Sequence, residues 1–464
     1  MNERQAKDEE PASTSSRRTT ALFFAAVVLH GLAYLLLLPP WMGEDEPWHL
    51  EAIHHVAQGH LPHLGGGRSL APEEFSEAPI TQLLVRRRFP SVEPAEVAEL
   101  QRRLTAELAD HAFWERIDWS DPFPGATSFH GPWASTAAGH PPLYYLLAGG
   151  AVGLSGIEDV GTQLMFCRLL SLLAYLGVVM LALSSGRAIF RDETLALLVA
   201  GVVAWLPIHA RQAGVVNNDV LAKLVVSAVF CMSVRIVAGD ARPWERWGAL
   251  VVCLLGVATK TTTLAAFGIL ALALLLPPGR RRGTWPAIAG LTALVLGALV
   301  VWRTQLNHAV PWSLDEVREQ LGGALTLETW TRLGTSFVGT FNGNGRALSP
   351  GIVAAVGFVF LALAAFAAWR LVRGRSDARA PLLLCFGAVL LQLSLIAFHG
   401  YGVGRYLVPT VIPIAAVSVS CVTALAPGKA RRAAIATCVV LLLIYDALYL
   451  WTGLIEHQYL GWRA

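Results

Sequence analysis

Long apolar blocks alternate with short arginine-rich breaks along most of the chain. Blocks such as IAGLTALVLGALVVW and LLLCFGAVLLQLSLIAF carry no charge. An α-helix rises about 1.5 Å per residue and needs roughly 20 apolar residues to cross a hydrocarbon layer about 30 Å thick. The pattern therefore predicts an all-α polytopic membrane protein with about eleven transmembrane helices. They fall at 21–40, 164–186, 194–213, 220–238, 247–260, 262–278, 285–302, 351–369, 381–398, 406–426 and 433–451. A further apolar stretch, PPLYYLLAGGAVGLSG at 141–156, is short before the polar IEDVGTQ begins.

Positive charge decides how that short stretch is read. If 141–156 does not cross, one side of the membrane receives Arg187 and Arg191, then Arg235, Arg242 and Arg246, then Arg280, Arg281 and Arg282. The same side receives Arg370, Arg373, Arg375 and Arg379, and finally Lys429, Arg431 and Arg432. The opposite short loops keep only Arg211, Lys260 and Arg405. Cytoplasmic loops are the arginine-rich ones. The rule thus predicts a re-entrant or interfacial helix at 141–156 and a cytoplasmic N-terminus. Residues 1–20, polar and rich in Ser and Thr, read as a disordered cytoplasmic tail, and 21–464 as one transmembrane domain. Within it, 41–162 and 303–350 become long extracytoplasmic segments. The first contains EPAEVAELQRRLTAELADHAFWERI, an amphipathic helix with Val97, Leu100, Leu104, Leu108 and Phe113 on one stripe. The second contains TSFVGTFNGNGRALSP, too rich in Gly and Asn for regular helix.

Composition agrees with this picture. Hydrophobic residues make up 54% of the chain and charged residues 15%, with mean hydropathy +0.51. A soluble protein carries about 25% charged residues. The six cysteines form no CxxC pair and read as small buried hydrophobes. There is no phosphate-cradling Gly-rich loop and no internal repeat, and no basic patch suggests a nucleic acid.

Several polar clusters break the apolar pattern at the extracytoplasmic ends. GEDEPWHLEAIHH follows the first span, with Asp45, Glu46 and His49 around Pro47. One acid there could simply favour a helix N-terminus; a whole cluster suits a general base or a metal ligand. GHPPLYYLL places His140 and Tyr144 at headgroup depth, either as a plain interfacial helix start or as a lipid-phosphate contact. VVNNDVLAK offers Asn218 and Asp219. Asp219 could pair with Lys223 one turn on, cap the helix, or line a site. GYGVGRYLVP presents Arg405 against the charge bias, where a guanidinium suits bidentate phosphate recognition unless it merely snorkels. Lys260 in TKTTT is a second such cation. Trp114, Trp119, Phe123, Phe129 and Trp133 could stack on sugars or form an interfacial belt. His54, His55, His60 and His63 match no zinc spacing.

In order, the DE pair after the first span, HPPLYYLL, NND, SFVGTF with NGN, and GRYLVP resemble the GT-C superfamily of membrane glycosyltransferases. Within it they are closest to a bacterial family of polytopic membrane proteins. The likeness runs over most of residues 21–426. It implies an inverting transferase in the bacterial cytoplasmic membrane that moves a sugar from a polyprenyl-phosphate donor to an extracytoplasmic glycan or lipid. By motif, Asp45 becomes the base with Glu46 beside it. Arg405, Lys260 and His140 become donor-phosphate contacts, and His49, Tyr144, Asn218 and Asp219 line the substrate. Some members bind a divalent metal, Mg or Mn, through such acids, here Asp45 and Asp219; others have none. His140 stands where related aminosugar transferases often have Lys, and no motif selects among Glu316, Glu319 and Glu328 as a second acid.

The chemistry also stands without the family. Glycosyl transfer needs a base for the acceptor hydroxyl and cations for the departing phosphate. The alternatives are a transporter or flippase for a lipid-linked glycan, and a non-catalytic membrane scaffold. A proton-coupled carrier would bury acids within its spans, where Asp446 is the main example.

Overall fold

The computed structural model describes residues 14–38, 46–59, 140–276, 326–341, 345–346, 348–373, 378–399, 404–425, 428–453 and 455. Among them the protein is helical apart from a hairpin of two-residue strands, Thr340–Phe341 and Gly345–Arg346, paired Thr340 to Arg346 and Phe341 to Gly345. Among the described residues seven helices are long and apolar enough to cross a membrane: Arg17–Leu37, Gly161–Phe190, Asn218–Ala238, Gly351–Arg373, Arg379–Ala397, Gly404–Ala424 and Lys429–Gly453. A bent pair, Glu193–Trp205 with Pro207–Gly214, makes an eighth if it is one span.

These spans differ from the expected eleven for identifiable reasons. The segment at 247–260 is the helix Pro243–Val257, whose 15 residues reach only about 22 Å. It is followed by the 3₁₀ turn Thr261–Leu264 and the short helix Ala265–Leu275. The segment at 285–302 lies outside the described residues, as does the amphipathic stretch at 93–117 with the aromatics after it. The apolar stretch at 141–156 is the 13-residue helix Leu143–Ser155. Helix begins at Thr14, inside the expected tail 1–20. Thr335–Val338 closes the helix Leu327–Val338, so the start of TSFVGTFNGNGRALSP is helical, against the expectation.

The bend in the third expected span follows from one residue. Pro207 has no N–H and forces Leu206 out of helical geometry, to φ −75° and ψ 114°. The two halves then meet at 61°. The break frees carbonyls that membrane burial cannot leave bare. His209 Nδ1 lies 2.8 Å from the Val203 carbonyl, and the Tyr175 hydroxyl donates to the Ala204 carbonyl at 2.9 Å.

The core is built around Gly161–Phe190, on which both Glu193–Trp205 and Asn218–Ala238 pack. The helix Glu46–Ala57 packs separately against Leu143–Ser155. Gly149 makes this approach possible, since a Cβ there would sit 2.8 Å from the Ile53 carbonyl and closer still to Val56. At the far end of the chain, few residues in the most apolar stretch of Lys429–Gly453 are buried.

Candidate functional site

The helix Asn218–Ala238 starts abruptly after the extended segment Val215–Val216–Asn217. Asn217 is its N-cap, its side-chain oxygen accepting from the Asp219 N–H at 2.8 Å. Asp219 therefore sits in the first turn rather than capping it. Its ion pair goes to Lys260, with Nζ 2.5 Å from Oδ1. Lys260 Nζ also donates to Asn218 Oδ1 at 3.1 Å. Lys223, one turn along, donates instead to Gln212 Oε1.

Arg405 completes the cluster. It lies in the 3₁₀ helix Gly404–Thr410, with Nε 4.0 Å from Asp219 Oδ2 and its side chain 16% exposed. The Tyr406 ring faces both cations, 5.5 Å from Lys260 Nζ and 5.2 Å from Arg405 Cζ. Gly404 is needed here. Its N–H donates to Ser336 Oγ at 2.6 Å, and a Cβ at this position would lie 2.2 Å from the Phe337 nitrogen. The SFVG motif thus seats the GRY motif. Gln392 holds the other side, donating to the Tyr406 carbonyl at 2.7 Å. Lys260, Arg405, Asn218 and Asp219, proposed from three separate motifs of the sequence, are brought together.

A second group lies nearby. His49 is buried, with Nδ1 2.9 Å from the Tyr145 hydroxyl. Its ring stacks on His140 at 5.9 Å and on Tyr145 at 5.8 Å, and meets Tyr144 edge-on at 6.3 Å. Burial holds the Tyr144 phenol well above its ordinary ionisation range, so it stays neutral, and its hydroxyl faces the Asn217 backbone. The Leu143 N–H donates to the Ala258 carbonyl at 2.9 Å, which ties the PPLYY segment to the turn carrying Lys260.

Glu46 has a different environment. Its carboxylate and the Arg168 guanidinium are both at 0% exposure and form a two-point pair, at 2.9 and 2.7 Å. Glu46 Oε1 also accepts from the Val216 N–H at 3.1 Å, and Arg168 Nη1 donates to the Leu38 carbonyl at 2.6 Å. This pair joins the end of the first span to the segment leading into Asn218. A carboxylate held this way is a structural anchor, with little freedom to take a proton from a substrate. Asp45 lies outside the described residues.

A divalent metal does not suit Asp219 as it stands. Lys260 occupies one carboxylate oxygen and Arg405 faces the other, so an added cation meets two positive charges. Among the described residues no group of three His, Cys, Asp or Glu is placed to hold a metal.

Sequence reading missed Arg168, Ser336, Tyr406 and Gln392. Arg168 had a usable signal: it is the lone charge in LMFCRLLSLLAYL, and a cation inside an apolar span needs a buried partner.

A polytopic helical chain whose polar motifs converge on one end of its bundle has a counterpart among known families. Residues 28–414 match the family model described as predicted membrane protein, DUF2142. The chain belongs to this family. No curated protein matches it.

Proposed function

We propose that the protein is a glycosyltransferase that takes a sugar from a polyprenyl-phosphate donor and passes it to an extracytoplasmic glycan or lipid acceptor. The observation that supports this reading best is the meeting of Lys260, Arg405, Asn218 and Asp219 at the helix ends. A guanidinium with partial exposure beside a fixed ammonium suits an anionic phosphate at the membrane surface. Asp219 would hold the cations in place before the donor arrives. The neighbouring His49, His140 and Tyr144 would line the sugar or acceptor. Asp45 remains the proposed base, on the motif resemblance alone. In this reading Glu46 positions the segment and takes no proton. The bacterial cytoplasmic membrane is proposed on the motif resemblance alone, and a cytoplasmic N-terminus on the charge bias of the loops.

The test uses membranes carrying wild type, Asp45→Asn or Lys260→Met, supplied with labelled polyprenyl-phosphate sugars and a crude envelope acceptor fraction. The expected result is sugar loss from the donor with wild type only, at equal levels of inserted protein. Equal turnover in all three would remove both residues from the chemistry. No turnover by wild type with any donor would move the reading to a lipid-linked glycan transporter. That second reading is favoured by the break at Pro207 and by the buried His30–Asp446 pair, since discontinuous spans and intramembrane acids are frequent in carriers.

A further inference from the structure

A buried polar group lies away from the site above, between the first and last spans. His30 Nε2 stands 2.7 Å from Asp446 Oδ2, with the two side chains 9% and 5% exposed. The Tyr34 hydroxyl donates to Asp446 Oδ1 at 2.9 Å. His30 Nδ1 stands 3.3 Å from the Tyr175 hydroxyl oxygen. The His30 ring also lies near Tyr34 and Trp205, at 5.1 and 5.5 Å between centroids.

The hydrogen-bond directions can be assigned from this network. A hydroxyl has one proton to give, and Tyr175 gives it to the Ala204 carbonyl, freed by the Pro207 break. Tyr175 can then only accept from His30, so Nδ1 carries a proton. On the other side of the ring, Nε2 faces a carboxylate oxygen at hydrogen-bond distance. Two lone pairs cannot make that contact, so a proton lies between them. The pair is either an imidazolium facing a carboxylate or an imidazole facing a carboxylic acid, and the two descriptions hold the same number of protons. Either way its net charge is zero, which suits burial.

We propose that His30 and Asp446 form an intramembrane proton-binding site, whose bound proton ties the last span to the first. The inference does not depend on the glycosyltransferase reading. The site's ligand is one proton, shared by Nε2 and Oδ2. When hydroxide removes it, water forms, and a carboxylate oxygen is left 2.7 Å from a bare nitrogen lone pair. The contact then opens. Other titratable groups around the pair are Tyr34 on the first span, Tyr175 on Gly161–Phe190, His209 on the short helix Pro207–Arg211, and Tyr445 and Tyr449 on the last span. Lys223 is the cation that faces His209.

The position gives this proton a reach. The last span is mostly exposed to its surroundings, so the loss of a buried anchor matters. Tyr445, next to Asp446, donates to the Val338 carbonyl. Val338 ends the helix in which Ser336 accepts the Gly404 N–H beside Arg405. The proton site is thus joined by direct contacts to the turn that presents Arg405.

The experiment uses full-length protein in lipid nanodiscs, labelled with ¹⁵N-histidine and read by nitrogen NMR and by infrared spectroscopy of carboxyl groups. His30 signals are assigned as those lost in His30→Gln or shifted in Asp446→Asn. The expected result at neutral pH is a protonated Nδ1 plus one further proton shared with Asp446, released once per chain on alkaline titration. Asp446→Asn should abolish that release. Its amide N–H supplies the same hydrogen bond to Nε2 while its carbonyl still accepts from Tyr34, so its thermal transition should stay near that of wild type at neutral pH and not follow the titration. A neutral His30 with its only proton on Nε2, facing an ionised Asp446, would overturn the proposal. So would an alkaline transition identical in wild type and Asp446→Asn. The wild-type spectra decide the matter even if the His30 variant fails to fold.

Discussion

Lys260 Nζ stands 2.5 Å from Asp219 Oδ1, and with its hydrogen bond to Asn218 this contact closes the TKTTT turn onto the start of the Asn218–Ala238 helix. Both side chains are nearly buried, so neither charge is well solvated once its partner is gone. Lys260→Ala should lower stability by about 3–5 kcal/mol, the usual cost of leaving a buried charge uncompensated. Asp219→Ala leaves Lys260 beside Arg405 and should cost a similar amount. The double variant should be less damaged than the sum of the two. A double-mutant cycle on unfolding in detergent reads the coupling directly, and strict additivity would mean that the pair is not formed.

Glu46 offers a sharp contrast between anchor and base. As an anchor, Glu46→Gln breaks a two-point pair with Arg168 that is fully shielded from solvent. It should destabilise the protein by about 3–5 kcal/mol and reduce the amount of folded chain. Donor turnover per folded molecule should stay close to wild type. The opposite pattern, a normally stable Glu46→Gln protein without turnover, would place Glu46 in the chemistry beside Asp45. The measurement is an unfolding midpoint alongside turnover normalised to folded protein.

Gly404 can be tested by one methyl group. Its Cβ would fall 2.2 Å from the backbone nitrogen of Phe337, and backbone has nowhere to retreat. Gly404→Ala should separate the 3₁₀ helix Gly404–Thr410 from the helix Leu327–Val338, at a cost of roughly 1–3 kcal/mol or more. The Ser336–Gly404 hydrogen bond would go with it. Ser336→Ala, which removes the bond and adds no bulk, should be milder, by about 1 kcal/mol. If Gly404→Ala proves no worse than Ser336→Ala, the close approach is not what requires glycine.

Much of this was legible in the sequence, and the reasons for what was not are physical. Long apolar runs report their length directly, so the helices at 17–37, 161–190 and 218–238 match the spans expected there. Runs near the length limit do not reveal where they stop; 247–260 and 262–278 read as spans and fold as short helices joined by a 3₁₀ turn. Pro207 was visible, but whether a proline kinks a helix or ends it depends on who satisfies the freed carbonyls, here Tyr175 and His209. The cations Lys260 and Arg405 stood out because they broke the charge bias. That both would meet Asp219 was not visible. The i, i+4 spacing pointed Asp219 at Lys223, and only the fold sends it to Lys260. Asp446 was noticed as an isolated acid, while nothing local could have named His30, 416 positions away.

Arg405 gives the most direct test of an anion site. Its guanidinium is partly exposed, approaches Asp219 through Nε at 4.0 Å, and rests on the Tyr406 ring. A planar fork can hold two oxygens of a phosphate at once, whereas an ammonium offers a point charge. Arg405→Lys keeps the charge and loses the fork, so it should weaken binding of a short polyprenyl phosphate by about tenfold, near 1.4 kcal/mol. Arg405→Ala also loses a charge-assisted hydrogen bond worth about 1.5–3 kcal/mol and should weaken binding by roughly 10–100-fold. Titration calorimetry in nanodiscs at two salt concentrations checks both values. Because the site is only partly shielded, wild-type affinity should fall with salt, and the fall should be shallower in Arg405→Ala than in Arg405→Lys. Equal affinities for all three proteins would mean that Arg405 serves the fold alone, and the phosphate would have to be sought elsewhere on this face.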